Sequence, residues 1–348
     1  MTSRKPTLLL TGGSGVVGRA LIDELSADFD IVCLRGTRRI NDARVSEFAG
    51  DLTRPALALR PSDYTRLVRR VDVVLHAAAI TKWSVDPAEI RDINVLGTAA
   101  MLRVASDAGA PLYYVSTAFV VGDVPTDERF AGLAAYMESK MRAEDLLRAS
   151  DVRTVIVRPS VVTGDSRDGR MASFQGLHRM LGSLVRGALP VLPADLDALV
   201  DSVPQDLVVE AIGTLIRQGI VEGEFWLTAG DQALSFSDYV DIGEDVSRLA
   251  GISAERPRFM PFESVDRLLL PLLDDFLTPA QRQMFVDFLE CVWVFQSEDT
   301  LPSDLARLGF ADRVTKAALT EAAHRSLVYW AQTKNLLPAR PLLEKVAV

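Results

Sequence analysis

The chain has 348 residues, 48% of them hydrophobic, so it can bury a sizeable core and is not a disordered protein. Its 38 basic and 47 acidic residues give a net charge of −9, which argues against general affinity for nucleic acid or anionic membranes. Cys33 and Cys291 are too few for a disulfide scaffold, and His76, His178 and His324 lack the spacing of a zinc site. No apolar stretch reaches the roughly 20 residues of a membrane span, and the low cysteine content suits a reducing cytosol, so we expect a cytoplasmic protein. From the histidine spacing we expect no metal site.

Short β-branched runs alternate with helical patterns through the first half of the chain. The predicted strands are 7–11, 30–34, 45–49, 72–76, 112–116 and 153–158. The predicted helices are 15–27, 62–70, 87–109 and 133–149. This alternation predicts an α/β fold of the Rossmann type, a doubly wound parallel sheet with helices on both faces. Ligands of such sheets bind at the carboxyl ends of the strands.

The regular alternation of predicted strands and helices ends after residue 165. The sequence predicts helices at 171–187, 205–218 and 236–250 and a strand at 224–228. We therefore expect a nucleotide-binding domain over 1–165, with core strands continuing to about 230, and an interleaved, mainly helical substrate lobe over 166–348. Residues 253–348 are mostly helical in pattern and could form a lid, more core or the face of a homodimer. They contain several large aromatic residues, namely Phe285, Phe288, Trp293, Phe295 and Trp330.

Residues 11–18 read TGGSGVVG, directly after the first strand and at the start of the first helix. Gly12 permits a tight turn, Gly15 lets the backbone approach a pyrophosphate, and Gly18 permits close packing of helix on strand. The helix N-terminus adds positive potential. The alternative is a chance glycine cluster in a strand-to-helix loop. The predicted dinucleotide-binding turn consists of Gly12, Gly13, Ser14, Gly15, Val16, Val17 and Gly18.

The end of the second strand bears on the choice of cofactor. An acidic residue there would accept a ribose 2′-hydroxyl, whereas this strand ends in Arg35, with Arg38 just beyond. Guanidinium groups suit a 2′-phosphate, so the sequence favours NADPH over NADH, unless these arginines are a solvated surface cluster. Asp51 and Leu52, after the third strand, could contact the adenine.

Tyr136 and Lys140 lie one turn apart on a predicted helix. Hydride transfer to a carbonyl leaves negative charge on its oxygen, so the protein must supply a proton there. A phenol can do so if a nearby ammonium lowers its pKa, and residues four apart share a helix face. The alternative is an ordinary amphipathic helix with a half-buried tyrosine and a solvated lysine.

Seven motifs follow one another along the chain: TGGSGVVG, Asp51-Leu52, the His76–Ala79 stretch HAAA, Asn94 in INVLGT, YVSTAFVVG at 114–122, YMESK at 136–140 and RPSVVTGD at 158–165. In this order they resemble the motifs of the extended short-chain dehydrogenase/reductases, and the resemblance covers most of residues 6–230. Within that superfamily, HAAAITKWSVDPAEIRDINVLGT, YVSTAFVVG and FQGLHRMLGSLVRGALPVLP look most like the thioester reductase and fatty acyl-CoA reductase branch.

The resemblance implies roles for the catalytic residues. Tyr136 would be the general acid in reduction, Lys140 would tune it and hold the nicotinamide ribose, and Thr117 would bond the substrate oxygen. Ser116, next to Thr117, would point to the opposite face of its strand. Asn94 would complete the catalytic set or instead brace a helix.

The resemblance also places residues around the cofactor. His76 is expected to pack beneath it rather than act as a base, with Ala77 and Ala78 leaving room. Pro159 and Ser160 would border the nicotinamide carboxamide.

The leading hypothesis is an NADPH-dependent reductase of an acyl thioester, bound to coenzyme A or a carrier protein, or of a related carbonyl in lipid- or polyketide-type metabolism. A ketone reductase or alcohol dehydrogenase would use the same residues without thiol loss. A nucleotide-sugar epimerase or dehydratase is disfavoured because the later lobe lacks an evident basic cluster for a diphosphate. A dinucleotide-sensing protein without turnover would typically lack the tyrosine and lysine.

Overall fold

A computed structural model describes residues 4–189, 191–265, 267, 278, 286, 288–294, 296–297 and 299–338. Phe285 and Phe295, two aromatic residues of the expected helical segment, lie outside this part of the chain. The chain divides into two compact units. The first consists of Met1–Val162, Gln205–Asp231 and Leu301–Val314, and the second of Thr163–Pro204, Gln232–Thr300 and Thr315–Val348.

The described strands and helices follow the predicted alternation. The strands are β1 (Thr7–Thr11), β2 (Asp30–Arg35), β3 (Val45–Ala49), β4 (Val73–His76), β5 (Leu112–Val115), β6 (Thr154–Pro159), β7 (Val161–Thr163), β8 (Val191–Leu192), β9 (Leu199–Val200), β10 (Ser202–Pro204), β11 (Gly223–Leu227), β12 (Leu234–Ser235), β13 (Arg258–Phe259) and β14 (Gln296–Ser297). The helices are α1 (Val16–Leu25), α2 (Pro61–Val68), α3 (Pro87–Arg91), α4 (Gly97–Ala108), α5 (Ala131–Arg148), α6 (Gly176–Val185), α7 (Gln205–Arg217), α8 (Phe236–Leu249), α9 (Phe262–Ser264) and α10 (Lys316–Thr333).

A seven-stranded sheet in the order β11-β6-β5-β4-β1-β2-β3 forms the centre of the first unit. All six of its strand pairings are parallel. The central strands are apolar and buried, as in β1, where Leu8, Leu9 and Leu10 are fully buried, because both faces of such a sheet are covered. The edge strand β3 is more exposed and contains Ser46 and Glu47. The strand order reverses at β1, which lies between β2 and β4, and ligands bind at such switch points. The predicted Rossmann-type fold is confirmed.

The predicted helix over 87–109 is three consecutive segments rather than one helix. α3 begins after Asp86, whose carboxylate accepts a hydrogen bond from the Ala88 N–H, and a π-helical turn, Asp92–Leu96, joins it to α4. A π turn inserts an extra residue and often marks a functional site. It was not predicted because the apolar periodicity runs through it without a break.

A buried ion-pair network lies on the face of the sheet that carries α5. Glu144 and Arg158, 2% and 4% exposed, make two hydrogen bonds of 2.9 and 2.6 Å. Ser116 donates to the same carboxylate at 2.6 Å, and Arg148 does so at 2.7 Å. Glu224 of β11 binds both arginines, so the network ties α5 to the β6 and β11 edge of the sheet.

The second unit is built mainly from helices α6, α8 and α10. A Cβ at Gly182 of α6 would lie 2.1 Å from the Trp330 ring of α10, so only glycine permits this helix contact. His178 Nε2 lies 2.8 Å from the Ser326 hydroxyl, and burial lowers the pKa of His178 to about 4. His178 is therefore a neutral residue of the helical core. Over the described residues, none of the helices combines the length and the apolar character that crossing a bilayer requires.

Loss of the Glu144 charge should destabilise the first unit, because Arg158 would lose its buried partner. We expect Glu144→Gln to lower the free energy of unfolding at pH 7 by about 3 kcal/mol. Arg103→Gln, which removes an exposed pair with Asp107, should cost less than about 1 kcal/mol. Urea unfolding of the cofactor-free chain measures both, and equal effects would contradict this account of the network.

Candidate active site

The glycine turn between β1 and α1 has the close packing that its three glycines permit. Gly12 has φ +76°, and a Cβ there would lie 2.6 Å from the Ala77 backbone. A Cβ at Gly18 would lie 2.1 Å from the Gly12 carbonyl oxygen, which accepts a 2.9 Å hydrogen bond from Gly15 N–H. At Gly15 the added Cβ would meet only that oxygen, at 3.3 Å. Gly12 and Gly18 are therefore required by packing, whereas Gly15 leaves space at the N-terminus of α1, where a pyrophosphate fits.

The remaining residues of the turn divide between packing and exposure. Gly13 lies against Ile40 and Cys33, since a Cβ there would be 2.9 and 3.3 Å from them. Val16 is buried, Ser14 and Val17 are partly exposed, and Gly15 is exposed. The most accessible position of the turn is thus Gly15, with Ser14 beside it.

His76 ends β4 beside the glycine turn and is fully buried. Its Nδ1 lies 2.6 Å from the Thr11 hydroxyl, whose oxygen also accepts the Ala78 N–H at 3.2 Å. Burial and the nearby Lys140 charge lower the pKa of His76 to about 3, so the ring is neutral. Its Nε2 is buried without a hydrogen-bond partner. These contacts fit a packing residue better than a base.

Arg35 and Arg38 lie at the end of β2, but their surroundings differ. Arg35 is partly buried, with Nε 3.5 Å from the Glu47 carboxylate and one terminal nitrogen donating to the Gly36 carbonyl at 3.0 Å. Arg38 is exposed. A phosphate at this strand end would therefore compete with Glu47 for Arg35, and Arg38 is the more accessible guanidinium.

Asp51 and Leu52 follow β3. One Asp51 carboxylate oxygen accepts the Thr53 N–H at 2.9 Å and the Thr53 hydroxyl at 2.7 Å, and these hydrogen bonds lower the pKa of Asp51. Leu52 packs on Gly97 at the start of α4, where a Cβ would lie 3.4 Å from it. Asp51 is thus an ionised residue that shapes its own turn, and its second oxygen faces the exposed Arg54 at 3.9 Å.

Tyr136 and Lys140 are both buried on α5, so neither is the solvated residue of an ordinary amphipathic helix. Burial raises the pKa of Tyr136 to about 12, and a side-chain hydrogen bond with Thr117 opposes part of that rise. Burial lowers the pKa of Lys140 to about 7, and the Glu144 charge opposes this. The phenol therefore holds its proton at neutral pH.

Ser116 and Thr117, which follow β5, have different partners. Ser116 donates to Glu144 in the buried ion-pair network, whereas Thr117 interacts with the Tyr136 phenol and also accepts the Phe119 N–H at 3.3 Å. Thr117 is thus the hydroxyl residue on the side of Tyr136.

Asn94 lies in the π-helical turn and is 1% exposed. Its amide oxygen accepts the Ile80 N–H at 2.8 Å, and its amide nitrogen donates to the Ile80 carbonyl at 3.1 Å and the Ser139 hydroxyl at 2.9 Å. Asn94 thereby joins the segment after β4 to the residue before Lys140. These contacts fit a brace that positions the helix.

Pro159 ends β6, and Ser160 follows it. Ser160 is 5% exposed, and its hydroxyl is buried without a hydrogen-bond partner. Its backbone N–H donates to the Leu227 carbonyl at 3.3 Å. Buried polar groups are normally bonded, so this hydroxyl fits a site that a ligand completes.

Sequence reasoning missed three side chains that interact with Tyr136 or Lys140. Tyr114, in β5, accepts a hydrogen bond from Lys140, and Glu144 is the centre of the buried network. The Trp83 ring lies against Tyr136, with ring centroids 6.4 Å apart. The segment that carries Trp83 is close to α5, since a Cβ at Gly132 would lie 1.7 Å from the Trp83 carbonyl oxygen. The aromatic character of Tyr114 within YVSTAFVVG was the one available signal, and it reads equally as core.

Comparison with known proteins supports the assignment of these motifs. An NAD-binding family described as male sterility protein matches residues 35–212. Glycine betaine reductase ATRR of Emericella nidulans is 31% identical over 264 residues, which are 62% of this chain and 20% of that protein. L-2-aminoadipate reductase of Schizosaccharomyces pombe is 24% identical over 326 residues, 77% of this chain and 22% of that protein. The chain thus spans about a fifth of the length of these two relatives.

A solved structure extends the similarity over nearly the whole chain. The terminal R domain from the myxalamid PKS-NRPS biosynthetic pathway is 25% identical, with a TM-score of 0.75, and the match covers 98% of this chain and 94% of that one. Together with the family match, it confirms the resemblance seen in the motifs. The chain belongs to the male sterility protein family of NAD-binding, extended short-chain dehydrogenase/reductases, which are nicotinamide-dependent oxidoreductases.

Proposed function

We propose that this chain is an NADPH-dependent reductase of an acyl thioester carried on coenzyme A or on a carrier protein. The observation that carries the proposal is the buried group of Tyr136, Thr117 and Lys140 at the carboxyl end of the sheet. A sensor protein has no need of a buried phenol and ammonium together. The similarity to a terminal R domain of a PKS-NRPS pathway favours a thioester over other carbonyls.

Several groups would hold the cofactor. The space at Gly15 and the N-terminus of α1 suit the pyrophosphate, and Arg38 with Arg35 suits a 2′-phosphate. The unpartnered Ser160 hydroxyl fits the nicotinamide end. When bound, NADPH supplies a hydride to the substrate carbonyl carbon.

The chain's own residues donate the proton and stabilise the phenolate that remains. Tyr136 remains protonated at neutral pH and donates to the oxygen on which negative charge develops. Thr117 fixes the phenol, and a Lys140 ammonium opposes the cost of leaving a phenolate in a buried site. With a thioester, the resulting hemithioacetal expels the thiol and leaves an aldehyde.

The reaction class is tested by following NADPH absorbance and free thiol with acyl-CoA and acyl-carrier substrates. We expect both to change in a one-to-one ratio for the first reduction. Tyr136→Phe should lower the rate about 100- to 10,000-fold with NADPH affinity retained, because it removes the acid and not a cofactor contact. Tyr64→Phe, which removes a phenol bonded to Asp107 at the surface, is the control. NADPH oxidation without thiol would reject thioester reduction and favour the ketone route.

Cofactor preference should depend on the arginines that follow β2. We expect the wild-type protein to bind NADPH more tightly than NADH, and Arg35→Ala/Arg38→Ala to reduce that preference at least about tenfold, since a charge-assisted bond to phosphate contributes roughly 1.5–3 kcal/mol. Arg44→Ala is the control, because Arg44 pairs with Asp42 and Asp23. Fluorescence titration measures the affinities, and equal wild-type affinities would refute the NADPH assignment.

Two glycine variants separate cofactor binding from folding. Gly15→Ala should keep the wild-type melting temperature and lose NADPH affinity, because its Cβ meets a single oxygen at 3.3 Å but occupies the space at the helix end. Gly18→Ala should lower the melting temperature, because its Cβ would overlap the Gly12 carbonyl. Thermal melts and NADPH titration provide the test, and undiminished NADPH binding by Gly15→Ala would exclude this turn as the pyrophosphate site.

A further inference from the structure

The Lys140 ammonium is bonded to strand β5. Lys140 is 2% exposed, and its Nζ donates to the Tyr114 hydroxyl at 3.1 Å and to the Val115 carbonyl at 2.8 Å. It also lies 4.6 Å from the centroid of the Tyr114 ring. A buried ammonium needs acceptors for its N–H groups, and Tyr114 supplies one acceptor and a polarisable ring.

The direction of the hydrogen bonds shows why the Tyr114 oxygen acts as an acceptor. The Thr98 hydroxyl donates to the Asn94 carbonyl at 2.7 Å, and a carbonyl can only accept. The single Thr98 proton is therefore committed, and Thr98 can receive the proton of the neighbouring Tyr114 hydroxyl. This leaves the lone pairs of the Tyr114 oxygen for Lys140.

The other titratable groups that face Lys140 do not take over this role. His76 on β4 is neutral because burial and the Lys140 charge lower its pKa to about 3. On α5, Tyr136 holds its proton, and Glu144 favours the ammonium by its charge while its oxygens bind Ser116 and arginines.

We propose that Tyr114 is a positioning residue of the reductive site, whose hydroxyl holds the Lys140 side chain against β5 and keeps it in the ammonium form. The consequence for catalysis rests on the proposed function, whereas the Tyr114–Lys140 coupling is a property of the cofactor-free chain. Burial lowers the pKa of Lys140 to about 7. The loss of one hydrogen-bond acceptor would therefore change the charge of Lys140 near neutral pH.

Tyr114→Phe tests the coupling, since it removes the hydroxyl and keeps the ring. The chain has six lysines, so ¹³C NMR of labelled lysine can follow Lys140, assigned with Lys140→Met. We expect its titration midpoint in the cofactor-free protein to fall by about one pH unit, because a lost bond to a charged group disfavours the ammonium. The basic limb of the kcat/KM profile for thioester reduction should move down by a similar amount.

Tyr113→Phe is the matched control. Tyr113 is the adjacent buried phenol, and its hydroxyl donates to the Ile220 carbonyl. Loss of the Tyr113 hydroxyl should lower the melting temperature and leave the Lys140 titration midpoint unchanged. Thr98→Val, which frees the Tyr114 proton from its acceptor, should move the midpoint in the same direction as Tyr114→Phe, by less.

The NMR and kinetic readouts separate the two proposals. An unchanged titration midpoint of Lys140 in Tyr114→Phe overturns the positioning role. If Tyr114→Phe does not fold, an unchanged Lys140 midpoint in Thr98→Val overturns it instead. If no thioester is reduced by the wild-type protein, the proposed function fails, while the titration still decides whether Tyr114 controls Lys140.

Discussion

A lysine ammonium buried between a helix and a sheet requires acceptors, and this requirement organises the end of β5. Lys140 reaches across from α5 to the Tyr114 hydroxyl and the Val115 carbonyl instead of extending into water. The same burial that lowers the lysine pKa raises that of the Tyr136 phenol. One desolvated site thus moves the two pKa values apart, so that the phenol keeps its proton while the lysine titrates near neutral pH.

The two hydroxyl residues that follow strand β5, Ser116 and Thr117, have different roles. Ser116 extends the buried Glu144–Arg158 network, which fastens α5 to the sheet, and Thr117 interacts with Tyr136. Consecutive side chains of extended backbone point to opposite sides. One hydroxyl therefore reaches the ion-pair network, and the adjacent one reaches the Tyr136 phenol. Precise placement of α5 is a condition for the reaction, because Tyr136 and Lys140 both depend on it.

Much of the first unit could be predicted from the sequence, because short β-branched apolar runs and glycine spacing are local signals. The strand ends, the turn at Gly12 and the helix containing Tyr136 follow from such patterns. The partners of Lys140 do not, since the helix spacing predicted a lysine beside Tyr136 while the acceptor that it reaches lies on a strand 26 residues earlier. The π turn at Asn94 and the ion pair between Arg35 and Glu47 also depend on tertiary packing, which local sequence periodicity does not predict.

The segment from Ile80 to Trp83 is held at two points, by the amide of Asn94 at one end and by the backbone of Gly132 at the other. Both of these contacts involve backbone atoms at positions 80 and 83, whereas the Trp83 side chain packs against the Tyr136 ring. A single codon change at position 83 would therefore alter the wall beside Tyr136, and natural variation or laboratory evolution can act on that wall through a residue that is not itself an acid or a base.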